Sequence, residues 1–179
     1  PGLKTTAIAA RLRGQGEAVA VERDADRAAQ IEEFCRRAGA ENVRVVHADA
    51  RNAAVGRGYD RVLVDPPCSD LGALASRPDA RWRKDPAAID ELAQLQGELL
   101  AAGAAALARG GTLVYSTCTI SRRENEDVVA AALAEGGLVA DELGAQAPAL
   151  ASPHDPRFLQ SRPDRDGTDG FFYARLRHA

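Results

Sequence analysis

Long hydrophobic runs are absent from this chain of 179 residues. No stretch approaches the roughly 20 apolar residues that a transmembrane helix requires, and no basic, apolar and cleavable leader marks a secretory signal. These absences argue against a membrane-embedded or exported protein, so we expect a cytoplasmic one. The composition is 45% hydrophobic, which suffices for one folded domain with a real core.

Cysteine is scarce, with three residues in the chain and no Cys-x-x-Cys pair. An odd number of cysteines without a secretory signal favours reduced thiols over a disulfide framework. The few histidines are scattered, which argues against a zinc site; they are His47, His154 and His178. We predict no bound metal and interpret the histidines as structural or exposed.

Neither sign of charge dominates, because the formal net charge is −3 at pH 7. The net charge of the domain therefore does not by itself attract nucleic acid. Lysine is nearly missing, since 21 of the 23 basic residues are arginine. Arginine suits phosphate binding, but in an alanine-rich chain it also fits a bias in genome composition, and both interpretations stay open.

Methionine is absent altogether, and the chain begins at Pro1 with residues typical of the middle of a motif. We expect a fragment of a longer chain. The first predicted element is a helix, and the strand that would precede it as the first strand of the sheet is expected to be missing.

Strand and helix patterns alternate along the chain, which predicts an α/β fold with a mostly parallel sheet. Short apolar, β-branched runs predict the strands, and helical spacing of apolar residues predicts the helices. Predicted strands cover residues 17–22, 43–48, 59–65, 112–116, 138–143 and 170–176. Predicted helices cover residues 5–13, 25–38, 86–108 and 123–135, with irregular segments at 66–85 and 144–168. The final strand is expected to be antiparallel.

Two cysteines follow apolar runs that are predicted as buried strands. Cys68 comes after residues 62–67, and Cys118 comes after residues 112–117. In an open parallel sheet, ligands and chemistry lie at the carboxyl ends of the strands. This placement favours covalent thiol chemistry at both residues. Cys35, on the apolar face of a predicted helix, is interpreted as structural.

Acidic residues also mark the carboxyl ends of three predicted strands: Glu22 and Asp65 end their strands, and Asp49 follows its strand. A carboxylate at such a position commonly accepts hydrogen bonds from the ribose of a nucleoside cofactor. Each alone is as consistent with a solvated charge, but three in succession favour a ligand. Three carboxylates at the strand ends fit a bound adenosine or a ligand with a positively charged group.

The opening residues, Pro-Gly-Leu-Lys-Thr at 1–5, precede a predicted helix, whose N-terminus favours anionic groups. A P-loop requires glycine directly before lysine, and Leu3 occupies that position. A nucleoside-triphosphatase is therefore excluded. Residues 65–68 (Asp-Pro-Pro-Cys) resemble the Asp-Pro-Pro-aromatic motif of amino-group methyltransferases, but Cys68 removes the aromatic platform that stacks on the base.

Several motifs together resemble the Sun/Fmu branch of the NOL/NOP2/Sun family. Residues 1–5 resemble the end of its Cys-Ala-Ala-Pro-Gly-Gly-Lys-Thr cofactor loop, and residues 65–72 (DPPCSDLG) resemble its Pro-Cys motif. Residues 116–119 (STCT) resemble its Thr-Cys motif, followed by Glu-Asn-Glu at 124–126 and by the closing segment at 166–172. The family consists of S-adenosylmethionine-dependent RNA cytosine-5 methyltransferases.

The resemblance implies a Rossmann-like methyltransferase catalytic domain over residues 1–179, without the upstream RNA-binding parts of this branch. It implies S-adenosylmethionine as cofactor and RNA, in this branch 16S ribosomal RNA, as substrate. A monomer is expected.

The resemblance also implies catalytic roles. Cys118 would add to carbon 6 of cytosine and so activate carbon 5, and Cys68 would assist release of the methylated base. Asp65 would hydrogen-bond the N3/N4 edge of the base. Because a free thiol has a pKa of about 8.5, a nearby positive charge is expected to favour the thiolate, and Lys4 is the candidate.

The candidate cofactor-binding residues are Pro1, Gly2, Leu3, Lys4, Glu22, Arg27, Asp49 and Asp65. Leu3 departs from the family, which usually has a second glycine there, and its side chain is expected to crowd the cofactor loop.

A long predicted loop contains basic residues around a tryptophan: Arg77, Arg81, Trp82, Arg83 and Lys84. Guanidinium groups on phosphates and an indole against a base would bind RNA. The alternative is an exposed loop with the tryptophan packed on the body of the domain.

Two other functions remain possible from the sequence. The chain could be a non-catalytic fragment that binds cofactor or RNA weakly, because loss of a central strand leaves unpaired backbone groups. It could instead be an amino-group methyltransferase that uses the Asp-Pro-Pro motif. A nicotinamide dehydrogenase is remote, since no Gly-x-Gly-x-x-Gly loop is visible.

Overall fold

The structure is a computed structural model that describes residues 1–52, 55–76, 78 and 86–179. The chain divides into two compact units, Pro1–Gly56 and Arg57–Ala179. The predicted RNA-contacting residues lie outside the described residues; they are Arg77, Arg81, Trp82, Arg83 and Lys84. Their role therefore stays a prediction. None of the helices in the described part of the chain combines the length and hydropathy needed to cross a bilayer.

The first unit alternates two helices with two parallel strands. Its elements are α1 (Leu3–Leu12), β1 (Ala18–Glu22), α2 (Ala25–Arg37) and β2 (Val43–His47). Strands β1 and β2 pair in parallel, with Glu22 opposite His47 at their carboxyl ends. Helix α2 begins where the side chain of Asp24 accepts a hydrogen bond of 2.9 Å from the backbone N–H of Arg27, a favourable N-cap.

Helix α2 buries a narrow apolar stripe. Ala28, Ile31 and Cys35 are buried at the helical spacing that the sequence predicts. Phe34 and Ala38 continue the apolar spacing in the sequence, but both are exposed. The buried position of Cys35 agrees with its interpretation as a structural residue.

The second unit is built on a mixed sheet. Its strands are β3 (Tyr59–Val64), β4 (Leu107–Thr117), β5 (Leu138–Ala140), β6 (Leu159–Gln160) and β7 (Phe172–His178). Its helices are α3 (Pro86–Ala106), α4 (Glu126–Ala134), α5 (Leu143–Gln146) and α6 (Pro163–Asp166). The strand order is β3-β4-β7-β5, with β6 also paired to β7. Strand β7 is antiparallel to each of its partners, and β3 is parallel to β4. The predicted sheet, mostly parallel with an antiparallel final strand, is confirmed.

Several predicted boundaries are wrong. Strand β4 begins at Leu107, five residues before the strand predicted at 112–116 and within the helix predicted at 86–108. The helix predicted at 123–135 divides into a 3-10 turn, Arg122–Glu124, and α4, because Asn125 between them leaves the helical region at φ −111° and ψ −96°. The strand predicted at 138–143 ends at Ala140. The segment predicted as irregular at 144–168 contains part of α5 and all of β6 and α6.

The core of the second unit lies between the sheet and helices α3 and α4. Leu113 and Tyr115 of β4 are fully buried, as are Phe172 and Leu176 of β7. The Phe172 ring meets the Tyr115 ring edge to face, with centroids 6.3 Å apart. This packing fixes the carboxyl end of β4, from which the second motif cysteine projects.

Candidate active site

The two motif cysteines meet at the ends of adjacent strands. Val64 at the end of β3 pairs with Tyr115 of β4, so both chains leave the sheet at the same edge. Cys68 and Cys118 follow, and their Sγ atoms lie 3.3 Å apart. Both side chains are partly exposed. The prediction that two thiols share one edge of the sheet is confirmed.

A carboxylate that the sequence analysis did not single out joins the two thiols. Cys118 Sγ donates a hydrogen bond of 2.9 Å to Asp70 Oδ1, and Cys68 Sγ lies 3.7 Å from the same oxygen. Asp70 has φ +55°, a left-handed conformation uncommon outside glycine. The backbone turn thereby places this carboxylate on both thiols. One oxygen or sulfur atom of each of the three residues lies within 4.8 Å of those of the other two.

A buried carboxylate holds the residues that follow the cysteines. Glu124 is fully buried and accepts hydrogen bonds from the Ser69 backbone N–H at 2.8 Å and the Ser69 hydroxyl at 2.5 Å. It also accepts from the Thr119 hydroxyl at 3.1 Å, and the two hydroxyl oxygens lie 2.9 Å apart. Since Ser69 follows Cys68 and Thr119 follows Cys118, Glu124 fixes the spacing of the two thiols.

Further hydrogen bonds hold Glu124 in place. The Gln96 side-chain amide on α3 donates to the Glu124 carboxylate at 3.1 Å and to the Pro67 carbonyl at 2.8 Å. The Tyr115 hydroxyl donates to the Glu124 carbonyl at 2.6 Å. Burial, followed by the nearby charge of Glu124, raises the pKa of Tyr115 well above its usual range. Tyr115 is therefore a neutral donor at physiological pH.

Backbone contacts join the two cysteine motifs to the closing segment. The Gly72 N–H donates to the Cys118 carbonyl at 3.0 Å, and the Gly170 N–H donates to the Gly72 carbonyl at 2.8 Å. A Cβ atom at Gly72 would lie 2.0 Å from the Gly170 carbonyl oxygen. Only glycine fits there, so the motifs at 65–72, 116–119 and 166–172 form one packed cluster.

The two thiols titrate as a pair. The hydrogen bond between the two sulfur atoms lowers the pKa of Cys68. The same bond, then burial and the hydrogen bond to Asp70, raise the pKa of Cys118 far above its usual range. These directions favour ionisation of Cys68 over ionisation of Cys118.

The structure places Asp65 directly after β3, at the same edge as the thiols, with an exposed side chain. Its predicted contact with a base stays a prediction. The sequence analysis missed Asp70, Ser69, Thr119 and Glu124. The one signal available was a hydroxyl residue directly after each motif cysteine, a repeated pattern that marks a shared hydrogen-bond partner.

In the first unit, Glu22 is the last residue of β1 and Asp49 follows the carboxyl end of β2, as predicted. Glu22 accepts a hydrogen bond of 3.0 Å from the Asp24 N–H and lies 3.3 Å from the Arg27 guanidinium. The side chain of Arg51 binds both carboxylate oxygens of Asp49 and holds the pKa of that carboxyl below its usual range. Both acids keep oxygen atoms at the strand edge, where a ligand with hydroxyl donors fits.

The predicted cofactor loop begins the same unit. Pro1 is exposed, and Gly2 caps α1 with φ +92°, so its backbone needs a left-handed conformation. Leu3 and Lys4 form the first turn of α1. Leu3 is 74% exposed, so its side chain does not crowd the interior of this unit. The roles of these residues toward a cofactor stay predictions.

Cys35 and the three histidines lie in the structural or exposed positions that the sequence predicts. Burial raises the pKa of the Cys35 thiol. His47 Nε2 lies 3.0 Å from the Arg23 carbonyl, and His178 Nδ1 lies 3.2 Å from the Gly137 carbonyl. The backbone N–H of His154 lies 3.3 Å from the hydroxyl of a buried serine.

Together, the sheet and the clustered motifs identify the fold as a Rossmann-like methyltransferase fold. The sequence profile of the family described as 16S rRNA methyltransferase RsmB/F matches residues 1–177. The chain belongs to this family.

Individual relatives agree with this assignment. Ribosomal RNA small subunit methyltransferase F of Cronobacter sakazakii is 40% identical over 182 residues, which cover 99% of this chain and 38% of that protein. NSun6 of Pyrococcus horikoshii, solved with SFG, is 36% identical with a TM-score of 0.87 over 99% of this chain and 45% of its own. A methyltransferase homolog protein from the same organism is 29% identical with a TM-score of 0.82, over 100% of this chain and 59% of its own. The chain thus spans well under half the length of the curated relative.

Proposed function

We propose that this chain transfers a methyl group from S-adenosylmethionine to carbon 5 of a cytosine in RNA, with 16S ribosomal RNA as the substrate. The observation that carries the proposal is the pair of Sγ atoms of Cys68 and Cys118, 3.3 Å apart and partly exposed at the carboxyl edge of the sheet. The family description names 16S rRNA, and the NSun6 structure contains SFG, an analogue of S-adenosylmethionine.

Two thiols suit this reaction because carbon 5 of cytosine is a poor nucleophile. Addition of Cys118 Sγ to carbon 6 makes the ring enamine-like, so carbon 5 can take a methyl group. Asp65, exposed at the same edge, is proposed to hydrogen-bond the N3/N4 face of the base. The cofactor supplies the electrophilic methyl sulfonium.

Release of the product needs a base. After methylation, the proton on carbon 5 must leave before Cys118 can depart. Cys68 is suited to accept it, because its Sγ lies 3.3 Å from Cys118 Sγ and therefore beside the covalent adduct. A second thiol beside the nucleophile is the feature that an amino-group methyltransferase does not require.

The cofactor is proposed to lie against the first unit. The left-handed Gly2 before α1 presents backbone N–H groups of a helix N-terminus, and Glu22 and Asp49 present carboxylates at the ends of β1 and β2. These acceptors match ribose hydroxyls and an adenine amino group. Pro1, Leu3, Lys4, Arg27 and Asp65 complete the proposed set.

The test compares three alanine variants of the full chain, with 16S rRNA and radiolabelled S-adenosylmethionine. Cys118→Ala should abolish methyl transfer and form no covalent RNA adduct. Cys68→Ala should trap a protein–RNA adduct that survives denaturant, because addition proceeds and release does not. Cys35→Ala, which removes a buried thiol of α2, is the matched control and should keep activity.

Product analysis and calorimetry separate the alternatives. Mass spectrometry of digested nucleosides should show 5-methylcytidine. N4-methylcytidine would instead assign the Asp-Pro-Pro motif to amino-group chemistry and overturn the proposal. Calorimetric titration of the chain with S-adenosylmethionine should show micromolar binding, whereas no heat of binding would support the non-catalytic fragment.

A further inference from the structure

We propose that Asp70 is the general base that takes the proton from Cys118 when this thiol adds to carbon 6 of the cytosine. The inference rests on the proposed function and adds Asp70 to the proposed catalytic side chains Cys118, Cys68 and Asp65. Its basis is the geometry of the described cluster: Cys118 Sγ donates to Asp70 Oδ1 at 2.9 Å. A general base must lie within about 2.6–3.2 Å of the donor atom, and this contact meets that requirement.

The backbone conformation at Asp70 supports a role for its carboxylate. Among the described residues, two non-glycine residues have positive φ, Arg13 and Asp70. Arg13 follows the last turn of α1, where a left-handed residue commonly ends a helix. Asp70 lies in the loop after β3 and has no such role. A left-handed conformation costs an L-residue roughly 1–2 kcal/mol, so glycine would be less strained at this position. Aspartate adds what glycine cannot, a carboxylate in contact with both thiols.

The charges around Cys118 explain why a base is needed. The titratable groups that face this cluster are Cys68, Asp70, Glu124 and Tyr115, which the structure joins by hydrogen bonds or by close charge interactions. Among the residues that the structure describes, these facing groups are neutral or negative. The hydrogen bond to Cys68, burial and Asp70 raise the pKa of Cys118. The thiolate form of Cys118 is therefore disfavoured in the resting protein. The thiol proton of Cys118 must leave as the carbon–sulfur bond forms.

The step balances without another reactant. Cys118 Sγ bonds to carbon 6, its proton passes to Asp70, and the electron pair of the 5,6 double bond moves to carbon 5. Carbon 5 takes the methyl group as the S–CH3 bond of the cofactor breaks, with that electron pair staying on the cofactor sulfur. Cys68 then accepts the carbon 5 proton, the double bond re-forms, and the carbon–sulfur bond to Cys118 breaks. Cys118 recovers its proton from Asp70, and Cys68 loses one proton to water.

The experiment uses Asp70→Asn, which keeps the shape of the side chain and tolerates positive φ. It is made in a Cys68→Ala background so that only Cys118 of the cluster reacts. Two rates are measured at pH 7.5: covalent adduct formation with 16S rRNA, and alkylation of Cys118 by iodoacetamide, read on its peptide by mass spectrometry. Asp70→Gly is the second variant, since glycine adopts this backbone without strain.

The two rates should move in opposite directions. Loss of the Asp70 charge lowers the pKa of Cys118, so alkylation should become roughly threefold or more faster. Adduct formation should become roughly a hundredfold slower, within the usual contribution of a general base. A merely structural role would lower both rates or change neither, and either result overturns the proposal.

Failure of the proposed function is visible in the same experiment. If the Cys68→Ala background itself forms no adduct with RNA, then the covalent mechanism is wrong and the role of Asp70 in it is overturned as well. If that background forms the adduct and Asp70→Asn or Asp70→Gly forms it equally fast, the covalent mechanism stands and the Asp70 inference alone fails.

Discussion

Cys68 and Cys118 are 50 residues apart in the chain, and their Sγ atoms are 3.3 Å apart in the fold. Two parallel strands deliver the thiols to one edge, and a buried carboxylate behind them sets their spacing. The pair is therefore a preorganised feature of the second unit, and its chemistry can be tested without RNA.

Mild oxidation should join this pair. The two sulfur atoms need to approach by just over 1 Å to reach a disulfide bond length of about 2.05 Å, and both are partly exposed. Treatment with diamide should remove two of the three thiols that a thiol assay counts, and peptide mapping should find the Cys68–Cys118 link. Cys35 is the internal reference, because it is buried in α2. Intermolecular disulfides in place of this link would contradict the described spacing.

Alkylation should discriminate between the two thiols as pH changes. The pKa of Cys68 is lowered by the hydrogen bond from Cys118, and the pKa of Cys118 is raised. A lowered pKa means that the thiolate persists at lower pH. At pH 7, below the ordinary thiol pKa of about 8.5, iodoacetamide should modify Cys68 well before Cys118. Site-resolved mass spectrometry over pH 6–9 checks the order, and the reverse order would contradict these shifts.

Replacing the buried carboxylate should destabilise the second unit. Glu124→Gln converts an acceptor oxygen into an N–H donor that faces the N–H or hydroxyl groups of Ser69 and Thr119. We expect a loss of about 2–3 kcal/mol in the free energy of unfolding, because buried hydrogen bonds to a charged group are left unmade. Urea denaturation measures it. Glu33→Gln is the matched control: Glu33 pairs with Arg36 on the exposed face of α2, and its loss should cost under about 0.5 kcal/mol. Equal effects of the two changes would show that Glu124 is not the centre of a network.

Two glycine-to-alanine changes should have opposite effects. At Gly72, a Cβ would lie 2.0 Å from the Gly170 carbonyl oxygen and 2.9 Å from the Cys118 carbonyl oxygen. Gly72→Ala should therefore cost at least about 3 kcal/mol of stability or prevent folding. Gly97 lies inside α3, and a Cβ there meets nothing within 4 Å. Gly97→Ala should stabilise the chain by about 0.5–1 kcal/mol, as thermal denaturation would show. A tolerated alanine at position 72 would contradict the packed cluster of motifs.

The sequence predicted the sheet well because its strands carry their own signal. Leu113 and Tyr115 of β4 are buried, as the short continuous apolar run that predicts this strand indicates. The meeting of Cys68 and Cys118 also followed from sequence, since the edge at which parallel strands end is fixed by topology. These features depend on local pattern plus one general rule of α/β folds.

The missed parts of the site depend on information that is not local. Asp70 reaches the thiols through a left-handed φ, and nothing in residue type alone predicts that conformation for aspartate. Glu124 was predicted inside a helix, and nothing in its residue type indicates that it is fully buried. Its burial is stabilised by Ser69, 55 residues earlier in the chain. Such long-range pairing becomes visible only when the elements are assembled.

The position of β7 has a consequence for synthesis of the protein. In the strand order β3-β4-β7-β5, residues 172–178 separate β4 from β5 and hydrogen-bond to both. A nascent chain that has reached residue 170 on the ribosome would hold β4 and β5 without the strand that joins them. The second unit therefore cannot close co-translationally before its last strand has emerged from the exit tunnel, and until then one edge of β4 is open to chaperones.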